Sequence, residues 1–258
     1  MNFHEAAAIL VKRRQTGIQG DQLPQELRPT NPEQALAIQA AVSDLWCELE
    51  DDSIGGWKCL ASSDEKPIIA PIYTRTINSV APVEIWPKPS DKNLARIEPE
   101  LAFFFGKDLP PRGEPYAPAE VDAAISRTHM ALELIGCRYT DPASCEFPEM
   151  LADGLVNQGL FIGPQVDNDL ARNASEFGIN LIHGVEVSER HGKHPNGNPR
   201  APLYWLAEFL RSRGQGIVAG QAVITGSFAG VLEVPLNANI TLEYAGLGTM
   251  EVSFTAKS

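Results

Sequence analysis

Two glutamates separated by a single residue form the segment of this sequence with the clearest chemical potential. Glu98 and Glu100 flank Pro99, and on an extended strand side chains two residues apart point to the same face. Adjacent carboxylates repel each other unless a cation neutralises them, and their hard oxygens suit Mg²⁺, Mn²⁺ or Ca²⁺. Pro99 cannot donate to a strand ladder, which predicts an edge or an irregularity there. Spacing alone leaves open a solvated strand face without a metal.

A third glutamate lies in an apolar run with strand character. Glu133 is the one charged residue within residues 130–135, and a buried carboxylate is unfavourable unless it pairs or binds a metal. Arg138, five residues further on, offers an ion-pair partner in place of a metal. The residues themselves leave both possibilities open.

One lysine stands in an apolar, glycine-led strand. Lys58 lies in the segment GGWKCLASS, which spans residues 55–63. Such a lysine either extends its amine to water or has a function. Near a bound metal and partly desolvated, it would have a lowered pKa and could transfer protons.

The overall charge argues against several classes of partner. The formal net charge is −12 and the sequence pI is about 4.9, which excludes nucleic acid and an anionic membrane surface as expected partners. An anionic substrate would need a local cation to overcome this field. No GxGxxG segment follows a strand and opens a helix, so the sequence predicts no nucleotide site.

The cysteines and the N-terminus indicate a reduced, cytoplasmic protein. The four cysteines form no CxxC pair, so a zinc knuckle is unsupported and reduced thiols in a cytoplasm are the expectation. The apolar run at residues 6–11 is too short for a signal peptide. No stretch approaches the ~18 apolar residues of a membrane span.

Hydrophobic periodicity predicts helices first and strands afterwards. Apolar spacing predicts helices at 3–14 and 32–50, the second with Asn31 as N-cap and Pro32 at its first position. Further helices are predicted at 117–128 and 202–213, and residues 189–199 are predicted to be a polar loop. Strands are predicted at residues 56–59, 97–105, 130–137, 160–163, 179–187, 222–227, 240–244 and 249–254. This order favours an α+β fold, with an N-terminal helical segment at 1–52 and a catalytic domain at 53–258.

Taken together, these segments resemble the 2-keto-4-pentenoate hydratase and 4-oxalocrotonate decarboxylase family, a branch of the fumarylacetoacetate hydrolase superfamily. The matching pieces run in family order over residues 50–255: Gly56, Trp57 and Lys58 followed by Ser62 and Ser63; Glu98, Pro99 and Glu100; residues 131–135 with Arg138; Ala152 and Asp153 leading to Gly159 and Gly163; residues 197–199 ahead of 205–207; and Ala219 and Gly220 followed by residues 224–227.

The resemblance implies a fold, a cofactor and a reaction. The fold would be a mixed β-roll like the C-terminal domain of fumarylacetoacetate hydrolase, preceded by helices, in a homo-oligomer. Mg²⁺ or Mn²⁺ would bind Glu98, Glu100 and Glu133, and Lys58 would be the residue that transfers protons. A small 2-oxo acid would be the substrate: a hydratase adds water to a 2-hydroxy-2,4-dienoate and forms a 4-hydroxy-2-oxo acid. Candidate substrate-binding residues are Ser62, Ser63, Asp153, Asn157 and Thr225, although Asp153 and Thr225 could equally belong to ordinary turns.

The sequence departs from the family pattern at three places. Leu60 replaces a glycine, residues 70–76 contain no acid where family hydratases carry one, and the usual serine after Asp153 is replaced by an apolar residue. Asp64 or Glu65 is the candidate replacement for the missing acid. These gaps keep a 2-oxo acid decarboxylase as the alternative, and a non-catalytic homologue that binds small acids as another.

A hydrolase with a His-Glu pair is disfavoured by the histidine positions. None of the five histidines lies in the loop expected before Glu98. His183 is predicted to be a core residue of an apolar strand. His191 and His194 form an HxxH in a loop rich in glycine and proline, where we expect no metal.

Overall fold

The computed structural model describes residues 1–88 and 90–257. Two long helices come first, followed by four shorter ones; their bounds are α1 Phe3–Thr16, α2 Pro32–Glu50, α3 Pro118–Ala124, α4 Phe147–Ala152, α5 Asn168–Arg172 and α6 Ala201–Ser212. Asn31 caps α2 by accepting a hydrogen bond from the amide of Gln34, and Pro32 occupies the first turn. This is the N-terminus that the sequence predicted.

Thirteen strands in the described residues form two sheets. Their bounds are β1 Ile54–Cys59, β2 Ile69–Tyr73, β3 Ile77–Asn78, β4 Val83–Ile85, β5 Leu94–Phe105, β6 Ile125–Ile135, β7 Asn157–Val166, β8 Glu176–His183, β9 Glu186–Lys193, β10 Ala222–Ile224, β11 Leu232–Pro235, β12 Asn239–Tyr244 and β13 Gly248–Ala256. The larger sheet has the order β2-β1-β10-β5-β6-β7-β3, with β11 also paired to β5, and the smaller has the order β4-β13-β12-β8-β9. Parallel and antiparallel pairs occur in both.

The larger sheet curls into a roll. Strands β2 and β3 stand at the two ends of its order, yet only residues 74–76 separate them in the chain, so the two edges must come close together. Side chains from strands that are not neighbours, such as Ile72, Ala102 and Leu160, accordingly meet in one buried cluster. This cluster fills the inside of the roll.

The outside of the roll carries the main core. Residues that alternate with the inner ones, such as Phe103 and Phe105 on β5, belong to the larger cluster, which also includes side chains of α1, α2, α6 and the smaller sheet. The strands of the roll are therefore buried on both faces, which explains their nearly continuous apolar sequences.

The α+β prediction with N-terminal helices is confirmed, but three element predictions are wrong. The helix predicted at 117–128 ends at Ala124, because residues from Ile125 onward pair with β5. The strand predicted at 179–187 is a hairpin that turns at Gly184, whose φ is +59°. The loop predicted at 189–199 begins with the second hairpin strand, which extends to Lys193. Most of that strand is exposed and polar, so it lacks the apolar alternation that reveals a strand.

Pro99 lies where the sequence predicted an edge or an irregularity. One side of β5 has a gap in pairing there, because β11 pairs residues 94–97 and β10 pairs residues 102–104, while β6 pairs along the other side. One prediction for a single residue is wrong. His183 is exposed at the end of β8 and is not a core residue.

Two further expectations concern organisation and membranes. The first strand begins at Ile54, close to the predicted boundary at residue 52, but the division into an N-terminal segment and a domain at 53–258 stays a prediction. Within residues 1–88 and 90–257, no helix combines the length and the apolar character needed to cross a membrane.

Candidate active site

The register of β5 and β6 brings the three glutamates together. Glu98 is directly opposite Glu133 on the neighbouring strand, and Glu100 follows Glu98 on the same face. One carboxylate oxygen of each of the three lies within 4.8 Å of the others. Glu100 and Glu133 are buried, whereas Glu98 is partly exposed. The acids occupy the polar end of the roll interior, above the apolar cluster.

Burial and mutual repulsion perturb this cluster strongly. Burial, followed by the charge of Glu133, raises the pKa of Glu98 to about 7. The pKa of Glu100 is raised well above its ordinary value by burial and then by the charges of Glu133 and Glu98. Ionisation of all three carboxylates at this distance is electrostatically unfavourable unless a cation lies nearby.

Lys58 supplies one positive charge to the cluster. Its strand β1 reaches β5 through β10, and Lys58 is in register with Ile224 of the inner cluster. The Lys58 ammonium donates to Glu133 Oε1 at 2.7 Å and to the carbonyl oxygen of Leu155 at 3.0 Å. Burial lowers the pKa of Lys58, but the surrounding carboxylates outweigh burial and raise it. The lowered pKa was expected for a lysine beside a bound metal, and that expectation stays a prediction.

Asn157 orients the carboxylate of Glu133. Its side-chain amide donates to the same Oε1 atom at 2.9 Å that Lys58 contacts. The other oxygen of Glu133, Oε2, is buried and has no hydrogen-bond partner among the described residues. A buried carboxylate oxygen without a partner is unfavourable, and a cation held by three sets of hard oxygens would satisfy it. The residues present therefore fit a divalent cation.

A left-handed turn at residues 154–156 presents the Leu155 carbonyl to Lys58. Gly154, Leu155 and Val156 have φ values of +81°, +51° and +62°. Left-handed conformations are unfavourable for leucine and more so for branched valine, and such strain concentrates at functional sites. Sequence reasoning missed this turn, because glycine occupies only its first position.

Arg138 and Asp153 pair with each other rather than with the site. Arg138 Nε lies 2.7 and 2.9 Å from the two oxygens of Asp153, and both side chains are buried. Arg138 also donates to the carbonyl oxygen of Asn157 at 2.8 Å. Arg138 is therefore the partner of Asp153 and not of Glu133, and the substrate-binding role of Asp153 stays a prediction. Through its hydrogen bond to the Asn157 carbonyl oxygen, Arg138 instead holds the backbone of the residue whose side chain contacts Glu133.

The loop after Lys58 carries the two predicted serines. The Ser62 hydroxyl accepts a hydrogen bond from the amide of Ile68 at 3.0 Å, and Ser63 is exposed. Asp64 and Glu65 are exposed in the same loop. The cross-strand neighbour of Lys58 on β2 is Ala70, so strand β2 supplies no carboxyl group at the position opposite the lysine.

Thr225 and Gly226 form a turn beside Glu100. The Gly226 amide donates to Glu100 Oε2 at 2.7 Å, a contact that the sequence did not suggest. Thr225 is fully buried and its hydroxyl lies 3.3 Å from His194 Nε2. The substrate-binding role of Thr225 stays a prediction. His194 is likewise buried and is not part of an exposed polar loop.

The chain is similar in sequence to several characterised enzymes and similar in fold to solved structures. A TodF product hydratase of Pseudomonas putida F1 is 26% identical over 161 residues, which cover 62% of this chain and 59% of that protein. Curated 4-oxalocrotonate decarboxylases match at 27% identity. The matched segments thus span 51–60% of the length of these relatives. No family model matches the chain.

Solved structures extend the likeness to nearly the whole chain. A 4-oxalocrotonate decarboxylase from Pseudomonas putida G7, in complex with calcium and acetate, superposes with a TM-score of 0.79 at 22% identity and covers 98% of this chain and 97% of its own. A fumarylacetoacetate hydrolase family protein from Yersinia pestis CO92 has a TM-score of 0.53 at 16% identity, covering 80% of this chain and 94% of its own. The resemblance drawn from the sequence is therefore confirmed: this chain is similar to 2-keto-4-pentenoate hydratases and 4-oxalocrotonate decarboxylases, and it has the fold of the fumarylacetoacetate hydrolase superfamily.

Proposed function

We propose that this protein is a metal-dependent lyase that adds water to a 2-hydroxy-2,4-dienoate and forms a 4-hydroxy-2-oxo acid. The observation that carries the proposal is the cluster of Glu98, Glu100 and Glu133 within 4.8 Å, with the Lys58 ammonium 2.7 Å from Glu133. The curated relatives named as hydratases support the same reaction class.

A divalent cation is the cofactor that these residues would hold. The two solved decarboxylase structures are complexes with calcium and with magnesium, and we infer Mg²⁺ or Mn²⁺ for this chain. When bound, such a cation neutralises the carboxylates and polarises the carboxylate and 2-oxo oxygens of an organic acid. Asn157 and Lys58 both donate to Oε1 of Glu133, which leaves Oε2 without a hydrogen-bond donor in residues 1–88 and 90–257.

Lys58 is the proton-transfer residue in this proposal. An ammonium has three donors; Lys58 uses two of them on Glu133 and Leu155. The third can deliver a proton to C5 of 2-hydroxypenta-2,4-dienoate, and the amine then recovers a proton from the 2-hydroxyl group. The resulting enone adds the hydroxyl of water at C4 and its remaining proton at C3, so the overall change is the gain of one water molecule.

The proposal is tested by the loss of the dienol ultraviolet absorbance in the presence of Mg²⁺ or Mn²⁺. We expect turnover that requires the cation and that falls by at least ~10²-fold in the Glu133→Gln variant. Glu186→Gln in the exposed β8–β9 hairpin is the matched control and should behave as wild type. Full cation-dependent turnover by Glu133→Gln would refute the site. Cation binding without turnover of any dienoate would instead indicate a non-catalytic homologue.

One observation favours a second candidate, decarboxylation of a 2-oxo-3-hexenedioate. Residues 70–76, the segment in which hydratases of the family carry an acid, contain none, and decarboxylation needs no activated water. Release of CO₂ from 2-oxo-3-hexenedioate, compared with consumption of the dienoate by the same preparation, distinguishes the two reactions. For hydration, Asp64 or Glu65 in the exposed loop is the candidate that activates water.

The quaternary structure is a further part of the proposal. The sequence resemblance implies a homo-oligomer, and Val185 and Val187 are exposed on the β8–β9 hairpin. Light scattering after size-exclusion chromatography measures the assembly directly. A monomer at micromolar concentration would contradict this expectation.

A further inference from the structure

A turn outside the acid cluster contacts two of the segments that surround it. His194, Pro195 and Asn196 directly follow β9 and are here named the 194–196 turn. On one side His194 reaches Thr225, which precedes the Gly226 amide bound to Glu100. On the other side Asn196 reaches Ala61, which is three residues after Lys58.

The hydrogen bonds of His194 define which nitrogen carries its proton. Nδ1 lies 3.2 Å from the backbone nitrogen of Asn196, whose N–H is the donor. Nδ1 must therefore be the acceptor, and the neutral ring carries its hydrogen on Nε2. Nε2–H consequently donates to the Thr225 hydroxyl at 3.3 Å. Burial lowers the pKa of His194 to about 4, so the ring is neutral at physiological pH.

Asn196 binds Ala61 as a neighbouring strand would. Its side-chain oxygen accepts from the Ala61 amide and its side-chain nitrogen donates to the Ala61 carbonyl, both at 3.1 Å. This double contact fixes the start of the loop that carries Ser62 and Ser63. An amide side chain is the group whose donor and acceptor both match a backbone peptide.

Between these two contacts, Leu60 and Pro195 pack against Gly226. A Cβ atom added at Gly226 would lie 2.5 Å from Leu60 Cδ2 and 2.8 Å from Pro195 Cγ. Leu60 and Pro195 thus press against the glycine whose amide holds Glu100. This packing fixes the position of Gly226, while His194 and Asn196 each make a separate contact, with Thr225 and with Ala61.

We propose that the 194–196 turn positions the active site in two separable ways: His194, through Thr225, holds the Gly226 amide on Glu100, and Asn196 holds the loop that follows Lys58. This inference rests on the proposed function only where substrate is involved. Groups that orient a metal ligand typically change metal affinity by 10- to 100-fold when they are removed. The His194 contact should therefore govern cation affinity, and the Asn196 contact should govern the binding of substrate.

Calorimetric titration of the chelator-treated protein with Mn²⁺ or Mg²⁺ tests the His194 contact without any need for turnover. His194→Leu should weaken cation binding by roughly 10- to 100-fold, and His194→Gln, which can again donate an N–H to Thr225, should recover most of the loss. His191→Leu, a change to an exposed histidine on β9, is the matched control. Thr225→Val removes the acceptor in a nearly isosteric way and should reproduce the defect even if His194→Leu folds poorly. Unchanged cation affinity in folded Thr225→Val would overturn this half of the proposal.

Hydrogen exchange and steady-state kinetics test the Asn196 contact. Asn196→Ala should accelerate amide exchange in residues 61–66 at least ~10-fold, because loss of the restraining bonds lowers the local opening free energy by more than ~1.4 kcal/mol. It should leave cation affinity unchanged and raise KM for the dienoate more than it lowers kcat. Protection of residues 61–66 equal to that of wild type would overturn this half.

The two kinds of measurement keep the outcomes apart. If the variants change cation affinity and exchange as expected but no preparation consumes the dienoate, then the proposed reaction fails while the positioning role stands. If the wild type consumes the dienoate and the variants bind cation and exchange as wild type does, then the positioning role fails while the proposed reaction stands.

Discussion

Without a bound divalent cation, the protein should lose stability as the pH rises from about 4.5 to 7, and the carboxyl group of Glu98 should be a main cause. Burial and the charge of Glu133 raise the pKa of Glu98 from 4.5 to about 7. Below pH 4.5 this carboxyl is protonated in both the folded and the unfolded chain, so its favourable contribution is fully present. Above pH 7 the folded protein must ionise a group that its surroundings keep neutral, and the contribution is lost.

The magnitude follows from the pKa difference. A rise from 4.5 to about 7 corresponds to about 3 kcal/mol between the two limits. For a protein of this size, 1 kcal/mol shifts the melting temperature by roughly 2–4 °C, which gives roughly 6–12 °C. Glu98→Gln keeps the shape and cannot ionise. The variant should melt close to wild type near pH 5 and above it near pH 8.

The assay is thermal unfolding in chelator from pH 5 to pH 8.5, repeated with excess Mg²⁺. Burial of neutral His194 opposes the trend at low pH, but it is common to both proteins and disappears from their difference. Added Mg²⁺ should stabilise wild type more than Glu98→Gln at pH 8, because the cation replaces the proton as the neutralising charge. Parallel melting curves for the two proteins across this pH range would refute the reasoning.

Three further predictions concern single contacts. Lys58→Met should retain cation binding, because the cation takes over the neutralising charge, and should lower turnover by about 10²–10⁴-fold; calorimetry beside the dienol assay measures both. Arg138→Leu should destabilise the fold by about 3–5 kcal/mol in urea unfolding because Asp153 is left buried without its partner, and the double variant Arg138→Leu/Asp153→Leu should recover part of that loss. Gly226→Ala should cost about 1–3 kcal/mol, since φ is +116° and Leu60 blocks a Cβ; wild-type urea stability would contradict this.

The sequence predicted those parts of the candidate site that depend only on the alternation of a single strand or on a charged residue in an apolar segment. The alternation of a strand places Glu98 and Glu100 on one face whatever the tertiary structure. The placement of Glu133 and Lys58 in apolar segments indicates a partner or a function, because isolated buried charges are unfavourable. These local rules, with the ordered resemblance, predicted the α+β roll and the residues that meet in it.

Other features depended on which segments meet in space. The choice of Lys58 over Arg138 as partner of Glu133 follows from the β1-β10-β5 order of the sheet, which pairs strands far apart in the chain. Polar β9 forms because it pairs with β8, against its own weak strand pattern.

What the sequence determined by itself was the type and local direction of the side chains, since a strand's period of two and the penalty for buried charge act over a few residues. Only the tertiary structure decided how those groups are held. The 194–196 turn contacts Ala61 and Thr225, and the 154–156 turn directs a carbonyl to Lys58. Such contacts join residues 31 to 135 positions apart, and no local rule of spacing specifies which distant group a side chain will meet.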